Sequence, residues 1–236
     1  MLIRSVLAAA VALVLASAAS AAPSRIIILR HGEKADPWKL CSIGVQRAQA
    51  LKFNYLGLDA AKSLFTEDAP PAFFFAITLH TAELAAPAVE SWNKPVILYS
   101  AMPKDNAKDM TEALNTRTKE AAHNILANPA LTGKTVVMVW EHKHIADSEL
   151  DAKYQREAAV TLRQLFHLDI LPGVPAAWPD DNFDYFWIVD FPDNSNVPSK
   201  FTMVKQDFGK SFPNVPANDW GEPNGLGADS GCKLKD

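Results

Sequence analysis

The chain has 236 residues, 48% of them hydrophobic, with 27 acidic against 23 basic side chains and a formal net charge of -4. That length suits one domain with a sizeable core. The mildly acidic balance, with no basic run, argues against a nucleic-acid-binding surface.

The N-terminus reads as an export leader. Arg4 is the only charge in the first 22 residues, 6–15 form an apolar core, and Ala19-Ser20-Ala21 and Ser20-Ala21-Ala22 offer small-residue cleavage sites before Pro23. The apolar core is short for a membrane span, and no second stretch is long enough to cross a bilayer. Residues 1–22 are therefore expected to be removed. That would leave a single domain over 23–236 in a secreted or periplasmic setting, its charge moved from -4 to -5 by the loss of Arg4.

The first predicted element follows at once. Ile26-Ile27-Ile28-Leu29 is a branched apolar run that ends in Arg30-His31-Gly32. Such a run reads as a short buried strand. Arg30 and His31 then stand at its C-terminal end, where open α/β sheets place their ligands. A guanidinium fork suits phosphate oxygens, and an imidazole beside it can act as a nucleophile on phosphorus. Gly32 would let the chain turn and let substrate approach the backbone.

Further along, helix 42–56 opens on Ser42, strand 72–78 carries three phenylalanines, and helix 81–92 precedes a short strand at 96–99. A long helix is expected over 106–126, a strand over 135–140 after the turn Thr132-Gly133-Lys134, and a helix over 152–166. This alternation predicts a three-layer α/β/α domain with a mainly parallel central sheet. The aromatic runs 183–191 and 201–208, joined by Pro192-Asp193-Asn194-Ser195-Asn196, predict an antiparallel hairpin at the sheet edge. The Pro-, Gly- and Asn-rich remainder is expected to be coil. It is either tied down through Cys232 or loose. Two cysteines in an exported chain, Cys41 and Cys232, suggest one disulfide, with two separate thiols as the alternative.

Strand 135–140 repeats the logic of the first. It delivers Glu141, His142, Lys143 and His144 at its C-terminal end. His142 and His144 would share a face if the strand continued, a spacing that can hold a metal. No companion ligand cluster is evident in the sequence, so no metal or other cofactor is assigned.

The string Ile26 to Lys34 resembles the phosphate-binding signature of the histidine phosphatase superfamily, the phosphoglycerate mutase-like fold. Leu40, Gly44, Gln46 and Ala48 resemble a structural motif of that family at its first helix, with Cys41 where the family has threonine. The resemblance implies a phosphatase in which His31 becomes a phosphohistidine, Arg30 neutralises the phosphoryl oxygens and His142 faces the nucleophile across the phosphate. Many members carry a second phosphate-clamping arginine after the second strand. Here Thr78-Leu79-His80-Thr81-Ala82-Glu83 lacks it, and His80 is the candidate replacement. Glu33 and Glu141 are the nearest candidates for the acid, with Asp105, Asp109 and Glu112 further along.

The expected site is thus Arg30, His31, Glu141 and His142 for catalysis, and Arg30, Gly32, Glu33, Lys34, His80 and His144 for substrate. The expected ligand is a phosphorylated small molecule or phosphate. The alternatives are a non-catalytic phosphate-binding relative and an envelope interaction module that keeps only the fold.

Overall fold

The computed structural model describes residues 22–103 and 107–233. Most of the expected leader and Asp105 lie outside the described residues. Among the described residues the sheet holds six strands in the order β3-β2-β4-β1-β5-β6. They are β1 (Arg25–Arg30), β2 (Pro71–Ala76), β3 (Val96–Leu98), β4 (Thr135–Trp140), β5 (Tyr185–Asp190) and β6 (Lys200–Lys205). The first four run parallel, and β5 and β6 form the expected antiparallel hairpin at the β1 edge.

Helices cover both faces, as the parallel strands require. Ile27 and Leu29 face α1 (Ser42–Leu51) and α2 (Leu79–Ser91). Ile26 and Ile28 face α3 (Ala107–Ala127) and the segment around Leu162 and Phe166. Central strands buried on both faces explain why β1 and β4 read as unbroken apolar runs rather than alternating ones. Among the described residues no helix is long and apolar enough to cross a membrane.

Two local expectations are corrected. The chain does not continue as a strand at 142–144 but turns into α4 (His142–Ile145), so His142 and His144 do not share a strand face. The single helix expected over 152–166 is broken into α5 (Ser148–Lys153), a 3-10 turn at Arg156–Ala158 and α6 (Leu162–Leu165). Arg156 takes a left-handed φ of 56°, which ends helical continuity. Thr161 then caps α6 through Gln164 N, while its hydroxyl and Arg163 both bind the Asp151 carboxylate. These local hydrogen bonds win over the apolar spacing that suggests one helix.

The tail after Gly209 is coil with two short 3-10 turns. It is tied down. Cys41 and Cys232 are bonded, Trp220 packs edge-on to Trp178 and Tyr185 and tilted against Trp187, and Lys233 N donates to Lys34 O at 2.6 Å.

Candidate active site

β1 and β4 are hydrogen-bonded neighbours with Arg30 opposite Trp140, so their C-terminal ends deliver His31 and His142 side by side. The ring centroids are 5.5 Å apart. His31 Nδ1 lies 2.8 Å from Gly32 O. A carbonyl can only accept, so Nδ1 carries the proton and the lone pair of the neutral ring sits on Nε2. That nitrogen is 3.2 Å from Arg30 Nη2 and 3.3 Å from His142 Nδ1. Arg30 Nη2 is also 3.3 Å from His142 Nδ1. One guanidinium nitrogen and two imidazoles therefore converge on one point.

Arg30 is aimed by a segment with no catalytic signature in the sequence. Its Nη1 donates to the carbonyls of Pro179, Asp180 and Asn182 at 2.7 to 3.0 Å, and the guanidinium lies 3.9 Å over the Phe183 ring. Asp180 contributes again through its side chain, with Oδ1 3.0 Å from His142 Nε2. Accepting that proton would leave His142 Nδ1 as the acceptor for Arg30. The only available cue was the turn cluster Pro179-Asp180-Asp181-Asn182, which composition alone marks as a loop.

Glu141 and His80 form the second half of the cluster. Glu141 Oε2 is 3.5 Å from His31 Nε2, and Oε1 is 2.6 Å from His80 Nε2 and 3.2 Å from the Thr78 hydroxyl. Burial pushes the Glu141 carboxyl up. The charge of His31 when its ring is protonated, the hydrogen bond and charge of His80 and the charge of Lys34 bring it well below the usual carboxylate range. His80 Nδ1 meets Pro37 O at 2.9 Å. Nδ1 therefore carries a proton, and Nε2 faces the Glu141 carboxyl and the Thr78 hydroxyl. His80 reaches the site both through Glu141 and directly, its ring standing edge-on to His31 with centroids 5.2 Å apart.

Glu33 has a different task from the one expected. Its carboxylate accepts from Arg47 at 2.7 to 3.2 Å, and both side chains are buried. Arg47 also lies 2.9 Å from Asp184 Oδ1 and donates to Gln206 and to Pro216 O. Burial works against charge at Glu33, but Arg47 outweighs it and the carboxyl lies below its ordinary value. Asp184 is raised, because burial and the Glu33 charge outweigh Arg47. Glu33 is therefore a support of the His31 loop.

Gly32 has a packing role. A Cβ there would meet Leu84 at 3.0 Å and Leu40 at 3.3 Å, so glycine allows α1 and α2 to pack close behind the loop. At Gly44 the approach is tighter, since a Cβ would lie 2.2 Å from Glu33 O.

Lys34, Glu141, His142, Lys143, His144 and Leu150 are among the residues lining a cleft of about 330 Å³ beside the histidines. His144 is bound through Nε2 to Asn115 Oδ1 at 2.9 Å, and its buried Nδ1 has no hydrogen-bond partner among the described residues. Burial lowers it to about 4, which keeps the ring neutral at pH 7. Glu112 is exposed on α3, and the Asp109 side chain lies outside the described residues. The nearest nitrogens of His31 and His142 and a Glu141 oxygen all lie within 4.8 Å of one another, close enough to share a cation. Arg30 Nη2, bonded to both rings, sets a fixed positive charge against that use.

No family model matches the chain, and no curated protein matches it either. Solved structures do. A mycobacterial glucosyl-3-phosphoglycerate phosphatase is 14% identical at a TM-score of 0.41, over 78% of this chain and 98% of that one. A protein described as a candidate alpha-ribazole-5'-P phosphatase from Escherichia coli is 13% identical at 0.44, over 78% and 96%. A candidate phosphohistidine phosphatase from Agrobacterium tumefaciens is 14% identical at 0.36, over 76% and 97%. These likenesses are loose, and the chemistry of the site rests on its own atoms.

Proposed function

We propose that this chain is an exported phosphatase of the histidine phosphatase type. It would hydrolyse a phosphomonoester through a phosphohistidine at His31, without a metal. The observation that carries the reading is the fixed tautomer of His31. Its Nδ1 is tied to Gly32 O, and its Nε2 is turned toward Arg30 Nη2 and His142 Nδ1. This is the arrangement that phosphoryl transfer to nitrogen asks for: a lone pair, a cation for the equatorial oxygens and a second ring on the far side.

Arg30 binds the phosphoryl oxygens while the 179–183 segment keeps its plane in place. His142, held at Nε2 by Asp180, hydrogen-bonds a phosphoryl oxygen through Nδ1 when that nitrogen also carries a proton. The leaving oxygen needs a proton, and Glu141 is the carboxyl set against His31.

The test is a panel of phosphomonoesters assayed with wild type and His31→Ala, with and without EDTA. Turnover that is lost in His31→Ala and unchanged by EDTA is expected, with an acid-labile, alkali-stable phosphoryl group on His31. Activity that survives His31→Ala, or that EDTA abolishes, overturns the reading. A second reading, phosphate binding without turnover, is favoured by one observation: His80 spends its Nε2 on Glu141 in the place where a second clamp on phosphate is expected. Phosphate binding with no turnover on any substrate would support it. Export is tested separately by the mass of the chain recovered outside the cytoplasm, which should lack about the first 22 residues.

A further inference from the structure

We infer that Glu141 selects the singly charged, protonated phosphoryl group and relays its proton to the leaving oxygen, so the substrate of this site is a phosphomonoester monoanion. The inference rests on the phosphatase reading above and names the ionic form of the substrate that it takes.

Geometry creates the requirement. A phosphorus in line with His31 Nε2 must place its oxygens around that nitrogen, and Glu141 Oε2 is 3.5 Å from it. The carboxylate is held in position from behind by His80 at 2.6 Å and by the Thr78 hydroxyl at 3.2 Å. A bare phosphoryl oxygen facing it would meet a like charge at close range in a buried site. A P–OH facing it would donate a charge-assisted hydrogen bond instead.

The charge balance agrees. Arg30 and Lys34 bring positive charge, and Glu141 cancels one of them. Lys34 stands at the rim, and His144, close by, is neutral. His31 and His142 face the carboxylate from the ends of β1 and β4, and Asp180 holds the far side of His142. The phosphate pocket is left roughly singly positive.

The same geometry resolves a difficulty in the chemistry. Glu141 is ionised in the free protein, so it has no proton to give a leaving group near neutral pH. The monoanion brings one. The P–OH proton passes to Glu141. His31 Nε2 then forms the N–P bond as the ester P–O bond breaks, and the departing oxygen takes the proton from Glu141 to leave as the alcohol. Glu141 ends as the carboxylate it was. It next takes a proton from water as that water attacks phosphorus and the N–P bond breaks, then returns that proton to a phosphoryl oxygen, so the product leaves as monoanionic phosphate and Glu141 is again a carboxylate.

The second ionisation of a phosphomonoester lies near pH 6. Above it, kcat/KM should fall about tenfold per pH unit. That break should follow the substrate, moving down in step across aryl phosphates of lower second pKa. Glu141→Gln should lose the alkaline limb and lose rate most on poor leaving groups, on the order of a hundredfold or more. Glu141→Asp should keep the limb, which covers the case that the amide variant does not fold. A break at one pH for every substrate, or the same limb in folded Glu141→Gln, overturns the inference while leaving His31-dependent turnover intact. If no ester turns over, calorimetric binding of orthophosphate from pH 5 to 8 still decides it. Wild-type affinity should fall as the dianion forms and Glu141→Gln affinity should not; equal profiles overturn it.

Discussion

At the scale of single residues, the site depends on side chains that never touch a substrate. Arg47 is the clearest. It neutralises two buried carboxylates, Glu33 and Asp184, and through Glu33 it braces the residue after the Arg30-His31-Gly32 turn. Removing it strands two acids away from water. Arg47→Met should therefore cost about 3 to 5 kcal/mol of stability, the scale of a buried ion pair broken from one side. Arg47→Lys should not restore the loss, because an ammonium cannot reproduce the bidentate fork on Glu33 together with the bonds to Gln206 and Pro216. Urea unfolding of the three proteins measures this. A lysine variant as stable as wild type would show that only the charge matters.

At the scale of elements, the two apolar strands that end in histidine clusters were legible. Each is a strongly patterned run, and β4 spans the predicted 135–140. What was not legible is the 179–183 segment. Its contribution is made through main-chain carbonyls, and a carbonyl leaves no mark in the residue code. Arg47 gives no signal in the sequence, since its partners Asp184 and Gln206 lie far along the chain. The helix split at Arg156 escaped for a similar reason, since the Asp151–Thr161 bond competes with a helical pattern that looks sufficient by itself. The disulfide links elements in the same long-range way. Cys41 is the N-cap of α1, its N–H donates to Glu33 O, and its bond to Cys232 closes a separation of 191 residues. By chain entropy a loop of that size is worth about 5 kcal/mol. The Cys41→Ser, Cys232→Ser double variant should lose stability of this order while keeping the sheet. A melting temperature unchanged under reducing conditions would count against a stabilising role.

At the scale of the whole molecule, three buried groups bias folding in one direction as pH falls. His144 is held down to about 4 from an ordinary 6.5, so the unfolded chain takes up its proton first. Its stability contribution is complete above about pH 6.5 and is lost as pH drops toward 4. A shift of that size corresponds to roughly 3 kcal/mol as an upper figure. Glu33 and Glu141 are also depressed below 4.5, so their contributions persist to lower pH and are lost only below that value. Asp184 works in the opposite sense. Its raised carboxyl costs stability above its ordinary 3.8 and relieves that cost on acidification, which blunts the later part of the fall. The His144 share of the decline should therefore begin below about pH 6.5, above the range in which Glu33 and Glu141 lose theirs. His144→Gln keeps an N–H toward Asn115 and carries no titrating group. Denaturant unfolding at pH 7.5, 6 and 5 should show wild type losing stability across this range and His144→Gln holding nearly level. Parallel declines in the two proteins would place the acid-sensitive group elsewhere.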